Sequence, residues 1–131
     1  PCLAWAGYLK NWPGPKEGER PSAYIIILSD STLNPKPQID VGIAAQTILL
    51  GAVKKGYGGC LIGSIRHEQL QQVLNLPEHL EIQLVTALGK PKETVEIETA
   101  GADDDIKYWR DEREVHHVPK RRLEDIIIGQ F

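Results

Sequence analysis

Three apolar runs along the chain predict β-strands. Residues 23–30, AYIIILSD, are mostly apolar and β-branched and lie between polar segments rich in Pro, Gly and Ser. This pattern is typical of a strand buried on both faces. Residues 81–90, EIQLVTALGK, form a second run, and residues 58–63, GGCLIG, form a shorter one flanked by glycines. We therefore expect a sheet of at least three strands.

Helical patterns fill the gaps between these strands. The run from Val41 to Lys55 is apolar on nearly every side, which predicts a helix buried in the core or against another subunit. We expect Asp40 to be its N-cap and Gly56 to follow its C-terminal end. Residues 65–76 predict a shorter helix capped by Ser64. The order β, α, β, α, β taken alone favours an α/β domain.

Aromatic residues near the start of the chain recur at helical spacing. Trp5, Tyr8 and Trp12 are three and four residues apart, so they would share one face of a helix. A core or interface position is the favoured interpretation, and the wall of a ligand pocket is the alternative. Further along, the acidic residues 93–105 are expected to be exposed.

Composition narrows the class of protein. The 131 residues fit one domain, 1–131, with enough chain for a real core. The net charge of −3 does not favour a nucleic-acid partner, and no apolar run approaches the ~20 residues that span a bilayer. Cys2 and Cys60 have neither CxxC nor zinc spacing. A reduced, cytoplasmic protein is therefore expected, rather than one with a disulfide.

Residues 54–65, KKGYGGCLIGSI, carry four glycines within eight positions. One interpretation is tight packing where the helix turns into a strand. The other is a main chain that must lie against a flat ligand. The amides of Gly63 and Ser64 precede a helix and could donate to a phosphate or to the edge of a flavin ring. The order of glycines is not the G-x-G-x-x-G dinucleotide fingerprint.

Other polar groups are weaker candidates for chemistry. Residues 118–125, VPKRRLED, are either a solvated basic turn or a phosphate clamp, with Glu124 and Asp125 as competing anions. Adjacent His116 and His117 would point to opposite faces of a strand, so we expect no metal site. Cys60 is expected to be buried in a strand and not to be a nucleophile. No Ser/His/Asp constellation can be argued from the spacing alone.

Three blocks of the sequence resemble one known family. Residues 40–65, DVGIAAQTILLGAVKKGYGGCLIGSI, resemble the central helix, glycine turn and strand of the FMN-dependent nitroreductases. Residues 74–93, LNLPEHLEIQLVTALGKPKE, and residues 118–127, VPKRRLEDII, are similar to two later stretches of that family. The ordered co-occurrence of the three blocks is more specific than any one of them.

The resemblance implies an α+β fold: a mixed or antiparallel sheet flanked by helices, with a long interface helix and two FMN sites in a homodimer. The main chain at Ile62, Gly63 and Ser64 would face the isoalloxazine ring. Lys120 and Arg122 would bind the FMN phosphate, and Arg121 could substitute for either. The glycines would then let the main chain lie flat on the flavin.

The resemblance also implies a reaction. Family members transfer electrons from NAD(P)H through FMN to a nitroaromatic, a quinone or a similar acceptor by a ping-pong mechanism. The flavin supplies the redox chemistry, so the resemblance implies no catalytic side chain. The family's Arg-rich N-terminal motif is not found in these residues, so we expect the C-terminal part of a family domain with weakened FMN binding. The alternatives are a non-catalytic, dimerising flavin- or nucleotide-binding module and a purely structural fragment that aggregates.

Overall fold

The computed structural model of the chain describes residues 2–129. It contains two compact units. The first unit comprises Pro13–Pro91 and the segment that ends at Trp5, and the second comprises Ala6–Trp12 and the residues from Lys92 onward. No helix among residues 2–129 is long and apolar enough to cross a bilayer. The expectation of one domain stays a prediction.

The first unit is an antiparallel sheet with two helices. Its elements are β1 (Ala23–Asp30), α1 (Gln38–Lys54), β2 (Gly58–Ile62), α2 (His67–Leu74) and β3 (Leu80–Gly89). The three predicted strands and two predicted helices are all present. The strand order is β1-β3-β2, and β3 is antiparallel to both neighbours. The α/β class suggested by element order is therefore wrong and α+β is correct, because an α/β sheet is mostly parallel, whereas β3 runs antiparallel to both of its neighbours.

The centre of the first unit is β3. Ile82, Val85, Thr86 and Ala87 of this strand are all buried. The prediction that β1 is buried on both faces is wrong for its first half, since Tyr24 is 43% and Ile25 39% exposed. The reason is position in the sheet: β1 is an edge strand, whereas β3 has a neighbouring strand on each side.

Helix α1 begins earlier than the sequence pattern predicts. Its N-cap is Pro37, whose carbonyl accepts a hydrogen bond from the Val41 amide. Asp40 is therefore not the N-cap. It lies in the first turn, where a carboxylate complements the helix dipole, and it accepts a hydrogen bond from the Asn34 amide group at 3.0 Å. The C-terminal prediction is confirmed, because Gly56 follows the helix with φ +75°.

The prediction that α1 is buried on all sides in the core is wrong for the described chain. Ala45 and Ala52 are its buried residues. Several large apolar side chains on α1 are more than half exposed to solvent, namely Ile39, Ile43, Leu50 and Val53. A surface of this kind is typical of an interaction site. The alternative that this face meets another subunit stays a prediction.

Helix α2 begins later than predicted. Its N-cap is Arg66, without a side-chain hydrogen bond, so Ser64 does not cap it. Residues 64–66 instead pair with the N-terminal segment: Ala4 N donates to Ser64 O and Arg66 N donates to Cys2 O, both at 2.9 Å. This pairing holds the chain extended through residue 65 and delays the helix.

The second unit contains a sheet that was not predicted from the sequence. Its strands are β4 (Val95–Ala100), β5 (Trp109–Arg110) and β6 (His116–Arg121), followed by the short helix α3 (Leu123–Ile126). The order is β4-β6-β5, with β4 parallel and β5 antiparallel to β6. The alternating Val, Glu, Ile, Glu of residues 95–98 is a strand pattern. The prediction of an exposed acidic stretch over residues 93–105 does not include this strand.

The aromatic residues near the start of the chain do not share a helical face, so that prediction is wrong. Ala6 has φ +37°, a conformation that a right-handed helix excludes, and residues 6–12 form turns. The ring of Trp5 packs within the first unit, 6.5 Å from that of Tyr24. The other two residues, Tyr8 and Trp12, belong to the second unit.

Close packing explains two of the clustered glycines. A Cβ on Gly59 would lie 2.6 Å from the Ala87 carbonyl oxygen and 2.6 Å from Leu88 Cδ2. A Cβ on Gly58 would lie 2.8 Å from Cγ of Pro91. All three distances are shorter than real Cβ contacts, so the packing interpretation is confirmed for these two residues. A Cβ on Gly63, by contrast, would meet no atom of the described chain within 4 Å.

This contrast predicts different costs for two alanine substitutions. Gly59→Ala should lower the free energy of unfolding by about 1–3 kcal/mol, because backbone and side chains on β3 and α1 must shift to admit the methyl group. Gly63→Ala is the matched control and should leave that free energy nearly unchanged. Urea unfolding followed by tryptophan fluorescence measures both. Equal costs for the two variants would contradict the packing explanation.

Candidate functional site

The turn after β2 presents bare main chain to solvent. Ile62, the last residue of β2, is 5% exposed and packs in the core, whereas Gly63 and Ser64 are exposed. Gly63 has open space where a side chain would be, and its φ lies outside the left-handed region. A small L-residue would therefore fit there without strain. The glycine leaves exposed main chain with open space beside it, and packing inside the described chain does not require this.

Hydrogen bonds hold this turn in place. Ser64 O accepts from Ala4 N, and Gly63 O accepts from Ile65 N, both at 2.9 Å. Leu3 and Ile65 form a β-bridge beside these bonds. The carbonyls of Gly63 and Ser64 are thus engaged within the first unit, and these bonds hold the turn in place without a ligand. A fixed turn without a Cβ at Gly63 leaves room for a planar group to approach the main chain.

The predicted basic residues lie at the end of β6. Lys120 and Arg121 are its last two residues, and Arg122 is the N-cap of α3, in extended conformation. All three are exposed. Arg122 lies 3.6 Å from Glu124, so one of the two expected competing anions is in contact. These residues belong to the second unit and Ile62–Ser64 to the first.

The second unit also holds a buried histidine, His117, whose burial the sequence analysis does not predict. His117 is 7% exposed, and its Nδ1 lies 2.8 Å from Glu98 Oε1 on the neighbouring strand. Its Nε2 lies 3.8 Å from Asp111 Oδ2. The indole of Trp109 stacks on the imidazole with 4.0 Å between centroids and 8° between planes. The alternation of apolar and acidic residues over positions 95–98 predicts a strand, and this signal could have suggested that Glu98 contacts a residue of a neighbouring strand.

His116 points the other way, which confirms the prediction that adjacent histidines occupy opposite faces of a strand. Its ring stacks on Tyr108 at 5.2 Å, and its Nδ1 lies 3.8 Å from Glu93 Oε2. Burial lowers the pKa of His116, the Arg110 and His117 charges lower it further, and Glu93 opposes them. Within residues 2–129, no group of three or more His, Cys, Asp or Glu residues is placed to hold a metal ion.

Cys60 is exposed, so the prediction that it is buried is wrong. It lies on β2, an edge strand, opposite Ala87 of β3. The other cysteine, Cys2, is buried and belongs to the hydrophobic core of the first unit. The sequence pattern could not predict that Cys60 is exposed, because it does not show that β2 lies at the edge of the sheet.

The lowered pKa of His116 predicts loss of stability in mild acid. The unfolded chain, with an ordinary histidine pKa of 6.5, binds the proton more readily than the folded chain does. The free energy of unfolding should therefore fall as pH drops below about 6.5. His116→Phe keeps a ring against Tyr108 and should flatten this fall between pH 6.5 and 5. Above pH 7.5, the free energy of unfolding should depend on pH in the same way for both proteins. Urea unfolding at each pH measures the slope, and identical slopes would refute the assignment.

Comparisons with known proteins agree with the geometry of the first unit. The sequence model of the nitroreductase family matches residues 14–90, which lie within that unit. The chain is 34% identical over 80 residues to the NADPH-flavin oxidoreductase of Vibrio harveyi, covering 51% of this chain and 33% of that protein. It is 32% identical over 74 residues to the Cr(VI) reductase of Pseudomonas sp. strain G-1, covering 54% and 30%. The chain thus spans about a third of the length of these curated relatives.

A solved structure matches the fold. The FMN-dependent nitroreductase from Clostridium difficile R20291 superposes with a TM-score of 0.50 at 24% identity, over 53% of this chain and 46% of that one. At this identity the likeness concerns the α+β fold. The family match, however, extends over more than half of the chain and includes the turn at Gly63. This chain therefore belongs to the nitroreductase family.

Proposed function

We propose that the chain forms part of an FMN-dependent oxidoreductase, with the turn Ile62–Ser64 lying against the isoalloxazine ring. The observation that carries this proposal is the open space at Gly63, beside two glycines whose space is filled by their own chain. Family membership over residues 14–90 supports it, because the turn lies inside the matched region. The names of the Vibrio and Clostridium proteins both refer to flavin.

Each residue of the turn has a distinct part in this proposal. The buried Ile62 side chain anchors the turn to the core. Gly63 leaves room for a planar ring to approach the main chain, as glycine does wherever a ligand contacts backbone closely. The hydrogen bond from Ala4 N to Ser64 O keeps the turn in position. When bound, FMN would supply the redox chemistry, which is electron transfer from NAD(P)H to a small acceptor such as a nitroaromatic or a quinone.

The FMN phosphate is assigned to Lys120 and Arg122. Alternate residues of an extended segment point to the same side, so these two cations can act on one anion and Arg121 points away from them. The contact between Arg122 and Glu124 does not prevent this. An exposed ion pair contributes roughly 0–1 kcal/mol, whereas an arginine hydrogen bond to a charged group is worth roughly 1.5–3 kcal/mol. A phosphate therefore displaces the carboxylate.

A second copy of the chain is the proposed partner of α1. The exposed apolar side chains of this helix lie within the family-matched region, and water contact with them is unfavourable by about 25 cal/mol for each Å². Burial against the same helix of a second copy removes that surface from water. A homodimer of this kind is what the resemblance in the sequence implies.

Substitution at Gly63 tests the flavin surface. Gly63→Leu fills the open space with a side chain, so the dissociation constant for FMN should rise about tenfold or more, while the free energy of unfolding changes little. FMN titration followed by quenching of flavin fluorescence measures the first quantity, and urea unfolding measures the second. Unchanged FMN affinity in a stably folded variant would refute the assignment of this turn.

Removal of the cations tests the phosphate site separately. Lys120→Ala and Arg122→Ala should each weaken FMN binding by about ten- to a hundredfold, since each loses a charge-assisted hydrogen bond. Lys16→Ala removes an exposed lysine from a loop of the first unit and is the control.

If FMN binds yet NAD(P)H is not oxidised with any nitroaromatic or quinone tested, the non-catalytic flavin-binding alternative is supported instead.

Charge placed on α1 tests the dimer. The double variant Ile43→Glu, Leu50→Glu should be monomeric in sedimentation velocity experiments at concentrations where the unmodified chain is dimeric. Leu33→Glu is the matched control, because Leu33 is 81% exposed in a loop outside α1. A dimer that survives both changes on the helix would exclude α1 as the interface.

A further inference from the structure

The second unit contains a cavity that the proposed flavin site does not use. Its volume is about 640 Å³, within the range of roughly 300–1,000 Å³ that ligand sites span. All the residues that line it belong to the second unit. Three of them are aromatic: Tyr8, Tyr108 and Trp109. Aromatic side chains lining a concave surface are typical of small-molecule sites.

The rings are held in place by their neighbours. Tyr8 and Tyr108 lie with 4.8 Å between centroids and 55° between planes. Trp109 stacks one face on the buried His117 and is 45% exposed, so its indole remains accessible to a ligand. The aromatic part of the cavity is therefore preorganised and does not require rings to move from a packed core.

The charges around the cavity favour a cation. Three carboxylates and two ammonium groups line it, namely Glu98, Asp104, Asp105, Lys10 and Lys107. Lys107 and Asp105 pair at 3.0 Å, and this contact lowers the pKa of Asp105 and raises that of Lys107. Their charges therefore cancel. Glu98 and Asp104 then outweigh Lys10, which leaves the lining with a net charge of about −1.

We propose that this cavity binds an organic cation: a substituted ammonium group attached to a flat ring. The negative faces of aromatic rings attract such a group, and an adjacent carboxylate adds Coulombic attraction. Glu98 is the main counter-ion, because its carboxylate is already oriented by the hydrogen bond between Glu98 Oε1 and His117 Nδ1 at 2.8 Å. A neutral ligand gains only ring contacts, and an anion is repelled by the net charge. The inference is independent of FMN binding.

Three small probes of similar size test the proposal on the full chain. Benzyltrimethylammonium is the cation, benzyl alcohol the neutral ring and phenylacetate the anion. We expect the cation to bind about tenfold more tightly than benzyl alcohol, and phenylacetate to bind more weakly than either. Amide chemical shifts of residues 98–109, followed by NMR during each titration, measure the dissociation constants and report where the probe binds. Tighter binding of phenylacetate, or shifts confined to other residues, would overturn the proposal.

Two substitutions with opposite expected signs separate recognition from damage to the fold. Glu98→Gln should weaken binding of the cation about fivefold or more, whereas Glu96→Gln, on the same strand but outside the cavity lining, should not. Lys107→Gln should strengthen binding about two- to fivefold, because it frees Asp105 from its ion pair. A misfolded variant cannot bind more tightly. Weaker or unchanged binding by Lys107→Gln would therefore contradict the charge argument.

Discussion

The pairing of β3 with strands on both of its sides is the constraint on which the first unit depends. Because β3 pairs with β1 on one side and with β2 on the other, its central residues are enclosed by main chain on either side, and Val85, Thr86 and Ala87 are almost fully buried. This arrangement also determines where β2 ends. The turn at Gly63 follows directly from the last paired residue, Ile62 opposite Val85, so the sheet positions the candidate flavin surface.

Glycines close together in sequence serve different physical purposes. Gly56 adopts the positive φ that ends α1, and Gly59 lets β2 approach β3 and α1 more closely than any side chain allows. At Gly63 neither reason applies, because its φ is ordinary and the space around its Cα is open. The packing and ligand explanations for this segment are therefore complementary. Close packing at Gly58 and Gly59 holds β2 in place, and Gly63, just beyond the strand, remains open to a ligand.

Histidines are central to the side-chain contacts of the second unit, where Ala100 and His117 are the buried residues of the described chain. His117 is held between Glu98 and Asp111 and covered by Trp109, while His116 on the opposite face stacks on Tyr108. Tyr108 and Trp109, which stack on the two histidines, also line the cavity, so the side chains that stabilise this sheet also shape its concave surface. Stability and recognition therefore depend on the same aromatic residues there.

The amino-acid sequence determined the existence and type of the long elements, because hydrophobic periodicity and helix-ending glycine are local properties. It therefore located β1, α1, β2, α2 and β3, the glycine after α1 and the opposite orientation of the two histidines. The tertiary structure decided what depends on distant residues: that β3 and not β1 is central, that α1 has an exposed apolar face, and that Ser64 pairs with Ala4 in place of capping α2. It also decided that Gly58 and Gly59 touch their own chain while Gly63, just beyond the same strand, is open. Short-range pattern carries none of that information, since burial and contact are set by whichever part of the chain packs against each residue.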